Sequence, residues 1–187
     1  MRTPLALPEV EPVSVTELAR NLRLFTGEGE YTGAEQAELL GFIQAARADA
    51  EHYTGRYFAK QTVRFVFPAF ASVLCLHSDC RELVQIRYFD TDNTQQTLTN
   101  TELFFITGDV LICANSVLLP KTYGRLDAVG VDVVLGVEIT PPSVKQAILM
   151  MASHWYENRE TSSPLQVREV PYAYQWLLDS HRLVSIG

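Results

Sequence analysis

The stretch Leu39-Leu-Gly-Phe-Ile-Gln-Ala-Ala-Arg-Ala-Asp-Ala-Glu-His-Tyr-Thr-Gly-Arg-Tyr-Phe-Ala-Lys-Gln-Thr-Val-Arg-Phe-Val-Phe-Pro68 changes its hydrophobic period part-way along. Leu39, Leu40, Phe42, Ile43, Ala46, Ala50 and Tyr53 recur at the spacing that lays one apolar stripe along a helix. From Tyr57 onward the residues change character. Thr62, Val63, Phe65, Val66 and Phe67 are β-branched or aromatic, which suits a pleated strand, and Pro68 stops the run. Gly55 stands where a helix ends in a left-handed residue. A helix of five to six turns therefore hands over directly to a strand, and the fold class turns on what flanks this switch.

Upstream, Pro4, Pro8 and Pro12 fix φ and remove backbone donors, so the opening arm is expected to be extended. Ser14 and Glu17 have the spacing of a capping box, and Val15, Leu18, Ala19 and Leu22 follow at helical spacing up to about Leu24. Gly27 and Gly29 break that pattern. Thr32 and Glu35 repeat the capping-box spacing ahead of the long helix. Downstream, short β runs are expected at residues 73–76, 83–89, 95–98, 103–106, 110–112 and 129–137, with Asp90-Thr-Asp-Asn93 as a hairpin turn. Helical period returns after Pro141-Pro142, where Val144, Ala147, Ile148, Met151, Ala152 and Trp155 share one stripe as far as Arg159 or Glu160. Thr161-Ser-Ser-Pro164 has loop composition, and Pro171 suits the first turn of a last helix reaching about Arg182. The expected fold is α+β: a small core of about four helices from residues 1–56 and 140–187, with an antiparallel β region, 57–139, inserted between the second and third main helices.

The bulk composition narrows the function. With 187 residues, 47% of them hydrophobic, the chain has enough apolar material for a packed core and lacks the signature of disorder. Its net charge of -7 argues against a surface that clamps nucleic-acid phosphates. The deficit sits in residues 1–56 and 57–139, whereas 140–187 hold four basic and four acidic residues. A neutral, aromatic-rich surface suits subunit contacts. Three cysteines, Cys75, Cys80 and Cys113, are too few for a disulfide framework. The start of the sequence has no apolar core of a signal peptide, and no apolar run approaches the ~20 residues that span a bilayer.

Candidate chemistry is sparse. Cys75, His77 and Cys80 are soft-metal ligand types within six residues, but zinc sites take a fourth ligand at defined spacing and none follows, so strand-and-turn cysteines acting as small hydrophobes are expected and no metal. His154 and Glu157 lack the H-E-x-x-H arrangement, and Gly27-Glu-Gly-Glu-Tyr-Thr-Gly33 lacks the Lys-Ser/Thr of a phosphate loop. There is no nucleophile elbow. No catalytic residue, cofactor or enzymatic activity is expected. The strongest local pattern is aromatic: Trp155, Tyr156 and Arg159 on the third main helix, Tyr172, Tyr174 and Trp176 on the last, then Leu183, Val184 and Ile186 at the end. Aromatic residues and Arg dominate binding hot spots, so these nine are the interface candidates. The competing reading is that Trp155 and Trp176 pack the two C-terminal helices together.

Three segments resemble the phage head-tail connector (adaptor) family: Val10 to Leu24, an extended arm entering a short capped helix; Ile43 to Arg56, a long helix ending in Tyr-Thr-Gly-Arg; and Pro141-Pro-Ser-Val-Lys-Gln-Ala-Ile-Leu-Met-Met-Ala-Ser-His-Trp-Tyr-Glu-Asn-Arg-Glu160, the most specific of the three. The resemblance implies a helical core with an inserted β segment. It also implies a structural role in the virion neck: copies forming a ring beneath the portal protein, prolonging the DNA channel and docking a downstream neck or tail protein, after synthesis in the bacterial host cytoplasm. DNA would pass without sequence-specific binding, since an acidic wall repels its phosphates, and no membrane is involved. The alternatives are a neck or tail-completion protein that binds the connector, and a small metal-binding or enzymatic domain.

Overall fold

A computed structural model describes residues 2–5, 8–24, 33–98, 104–113, 119–158 and 172–183. In chain order these form β1 (Arg2–Pro4), α1 (Val15–Asn21), α2 (Gly33–Thr54), β2 (Gln61–Phe67), β3 (Val73–Cys75), β4 (Cys80–Phe89), β5 (Gln95–Leu98), β6 (Phe104–Thr107), β7 (Val110–Cys113), β8 (Val129–Leu135), α3 (Pro142–Glu157) and α4 (Tyr172–Asp179). The fold is α+β, with β2 to β8 between α2 and α3 and the short β1 ahead of α1. The chain divides into two compact units, a helical one of Val10–Phe58 and Ile139–Gly187 and a β one of Met1–Glu9 and Ala59–Glu138.

In the helical unit, α1 opens with the capping box the sequence contains. The Ser14 hydroxyl accepts from Glu17 N–H at 3.1 Å and the Glu17 carboxylate accepts from Ser14 N–H at 2.7 Å. That backbone bond from Ser14 holds the Glu17 carboxyl below its ordinary pKa. The helix stops before Leu24. Arg23 takes φ 56°, Leu24 N–H bonds Ala19 O and Arg23 N–H bonds Arg20 O, a Schellman closure made without glycine. Gly55, at φ 71°, ends α2 with its N–H on Glu51 O. The buried stripe of α2 is Leu39, Ile43, Ala46, Arg47, Ala50 and Thr54, whereas Leu40 faces outward. Val144, Ala147, Ile148, Met151 and Ala152 of α3 are buried as their spacing predicts, at the contact with α2. Burying such a row is the main source of this unit's stability, at roughly 1.5–3 kcal/mol for each fully buried large side chain. The Thr32 cap, Gly27, Gly29 and Pro171 lie outside the described residues.

The β unit holds a five-stranded antiparallel sheet in the order β1-β2-β8-β4-β5 and a three-stranded one in the order β3-β7-β6. Strand β8 is central, pairing β2 from Gln61↔Leu135 to Phe67↔Val129, and pairing β4 on its other side with two register shifts. It ends at Leu135, short of 137, where the backbone turns at a glycine packed close against Ala59. Gly136 has φ 116°, and a Cβ there would stand 2.5 Å from Ala59 O. The Asp90–Asn93 turn forms as expected, with Asn93 left-handed at φ 59° and the Asp90 carboxylate accepting from Asp92 and Thr94 N–H and from the Gln96 amide. Those bonds, Gln96 first, lower the Asp90 pKa. The short β1 is an edge strand, a place where Pro4 costs no ladder bond on its outer side.

Candidate interaction surface

Helix α4 carries the clearest surface feature of the helical unit. Its period places Tyr174 and Leu178 inward and Tyr172 and Trp176, one turn apart, outward at 78% and 77% exposure. Two large aromatic side chains side by side and unburied form an anchor of the kind that partners cover. The inner face fixes the helix in place. Tyr174 O–H donates to Asp49 Oδ2 at 2.6 Å, and burial together with that carboxylate pushes its phenol pKa far above the ordinary value. Tyr53 O–H donates to Asp179 Oδ1 at 2.6 Å, a bond that also raises its pKa, and the Arg182 guanidinium lies over the Tyr53 ring at 5.2 Å.

The segment after α4 is tied back to the same unit. Leu183 N–H bonds Thr54 O at 2.8 Å, Arg56 Nε donates to His181 O at 2.7 Å, and the His181 ring meets Ser143 Oγ at 2.7 Å and the edge of Phe58. Of the nine interface candidates, Tyr172 and Trp176 share an exposed face, and Tyr174 is in the core. Trp155, Tyr156 and Leu183 are half-buried, with Tyr156 edge-on to Phe42 at 6.0 Å. Arg159, Val184 and Ile186 lie outside the described residues. Asp49, Tyr53 and Asp179, which set the pose of α4, carry no signal in the sequence, since their bonds to α4 and its partners span 125 or more residues.

The Cys75–Cys80 segment makes the turn between β3 and β4. Cys75 is exposed, Cys80 is buried and its thiol pKa is raised by that burial, and Asp79 N–H approaches His77 Nδ1 at 3.1 Å. The same Nδ1 lies 3.6 Å from the Asp79 carboxylate. Among the described residues no three His, Cys, Asp or Glu side chains gather to hold a metal ion, and no helix is long and apolar enough to cross a membrane.

Comparison with known proteins gives one family and one fold. Residues 119–182 match the model of the phage gp6-like head-tail connector proteins. This range contains the Pro141–Glu160 segment and α4, while the other two segments of resemblance lie before it. No curated protein sequence matches. Among solved structures, a chain of the neck of an empty GTA particle, computed with C6 symmetry, is 22% identical with a TM-score of 0.77. A chain of the virion of the native gene transfer agent particle is 21% identical with a TM-score of 0.74, and one of the native neck with C12 symmetry is 18% identical at 0.69. Each alignment covers 100% of this chain and 97% of the other. The likeness to head-tail connectors thus rests on the family pattern in residues 119–182, beside a fold shared over the whole chain with chains of GTA neck and virion structures.

Proposed function

We propose that the chain is a structural neck protein of a phage or phage-like particle, a head-tail connector subunit that forms a ring beneath the portal, extends the DNA channel and docks the next neck or tail component. The observation that carries this reading is the whole-length correspondence of fold with neck chains, joined to the connector pattern in residues 119–182. The acidic balance fits a channel that DNA slides through, because each copy adds -7 and repels phosphate. In this reading α4 and the segment that follows it dock the portal: Tyr172 and Trp176 supply the aromatic anchor, while Tyr174 holds the helix in position.

The test uses particles assembled with Tyr172→Ala/Trp176→Ala and, separately, with residues 183–187 deleted. Both side chains of the double variant are exposed, so it is expected to fold with stability within about 0.5 kcal/mol of wild type and to be lost from portal-bearing heads. Wild-type occupancy of heads by both variants would place docking elsewhere, with the Pro8–Pro12 arm next in line. Retention by a purified connector ring instead of the portal would make the chain a neck or tail-completion protein.

A further inference from the structure

Strand β8 reads Val-Gly-Val-Asp-Val-Val-Leu, and its alternation puts Val129, Val131, Val133 and Leu135 on one face and Gly130, Asp132 and Val134 on the other. Asp132 is fully buried, in register with Arg64 of β2 and Gln85 of β4, with Arg87 opposite the neighbouring Gly130. Arg64 donates from Nε to Oδ1 at 2.6 Å and from Nη2 to Oδ2 at 2.9 Å. Gln85 Nε2 and Arg87 Nη2 each reach Oδ2 at 2.9 Å. The Arg64 stem crosses Gly130, its Cδ 3.4 Å from where a Cβ would stand.

Two guanidiniums around one carboxylate leave one positive charge in surplus. Both arginine side chains reach solvent, at 27% and 29% exposure. Arg87 makes one side-chain hydrogen bond, and its Nε is buried without a partner among the described residues. A buried N–H without an acceptor is costly, and a guanidinium presents its donors as a fork that matches a carboxylate. The cluster is therefore anchored on Asp132 and carries its surplus charge on two guanidiniums that are partly exposed.

We infer that the Arg64–Asp132–Arg87 cluster is a docking site for a carboxylate side chain presented by a second copy of this chain. The inference rests on the ring reading above and names one contact within it. Charge complementarity selects the occupant: each copy carries 22 acidic against 15 basic residues, so a neighbour brings carboxylates in excess to a locally positive spot. The neck structures of like fold were computed with C6 and C12 symmetry, arrangements that repeat a chain around an axis. DNA is the poorer match, because tight phosphate binding takes several cations and the cluster offers a surplus of one.

The test is sedimentation of the full chain, wild type and Arg87→Gln, over a range of protein concentration at low and high salt, with duplex DNA binding measured in parallel. Arg87→Gln removes the surplus charge while Arg64 and Gln85 still hold Asp132, and circular dichroism checks that the variant is folded. The expected result is that wild type self-associates, more weakly in high salt, and that Arg87→Gln raises the midpoint concentration by on the order of tenfold. Wild type and variant associating alike overturns the docking site and leaves the ring reading standing. A wild-type chain that stays monomeric throughout overturns the site as a contact that joins copies, while the ring reading is decided by its own test on portal-bearing heads. Duplex DNA bound by wild type and released by Arg87→Gln reassigns the cluster to phosphate and also overturns the proposal.

Discussion

The helical unit and the β unit each bury one charged residue between two of opposite sign, and the two clusters are inverted copies in charge. In the helical unit Arg47, 4% exposed, donates to Glu11 at 2.8 Å and to Glu51 at 2.6 Å, and both carboxylates are nearly as buried as the arginine. Glu51 also accepts from Phe58 N–H at 2.8 Å, so this cluster ties the incoming arm, the long helix and the chain leaving it into one piece. In the β unit the central Asp132 is hidden but its two arginines lead outward. The difference separates a structural clamp from a surface. A cluster whose outer members are buried keeps its surplus charge away from a partner, whereas one whose outer members are partly exposed presents the surplus.

The largest effects come from the two centres. Asp132→Ala leaves two guanidiniums without their carboxylate and Arg47→Met leaves two buried carboxylates without their cation, and each is expected to cost about 3–5 kcal/mol in urea unfolding. A cost below about 1 kcal/mol for either would show that its cluster is hydrated and not a buried core of charge.

Tyr174→Phe sharpens the contrast from inside the helical unit, where the polar group again points inward. It removes a hydrogen bond to a carboxylate and is expected to cost about 1.5–3 kcal/mol at neutral pH. Because the folded-state pKa of Tyr174 is raised, its contribution is present below the unfolded value of about 10 and falls as pH rises above it, by up to about 1.4 kcal/mol per pH unit. Thermal melts from pH 9 to 11 should therefore drop more steeply for wild type than for Tyr174→Phe. Parallel curves would mean that the phenol is not held by Asp49. Ser14→Ala removes the α1 cap and should lower stability by about 1 kcal/mol.

A small stability effect is expected for Arg87→Gln, under about 1 kcal/mol, because the side chain is partly exposed and Asp132 keeps three other hydrogen bonds. A loss as large as that of Asp132→Ala would break the comparison, making Arg87 part of the clamp.

How far the sequence discloses all this depends on the range of the interaction. The α1 capping box, the Gly55 stop, the Asp90–Asn93 turn and the buried stripe of α3 are local, and each is readable from residues a few positions apart. The Schellman closure at Arg23 is equally local but lacks the glycine that usually signals it. The strands after α2 were readable as short apolar or β-branched runs, but placing β8 between β2 and β4 requires pairings across 41 or more residues, which periodicity does not contain. Asp132 illustrates the limit. A carboxylate within a run of valines is visible in the sequence, and its partners Arg64 and Arg87 are not. The aromatic cluster on α4 was readable as a set, yet only the packing of the helical unit decides that Tyr172 and Trp176 face out and Tyr174 faces in.

The most direct test of the account is to reconstruct the neck of particles that carry this chain and locate it there. The account predicts a closed ring of copies between head and tail, with Tyr172 and Trp176 of each copy covered by the portal. Particles with a complete neck from which this chain is missing, or in which it lies outside a ring, would contradict it.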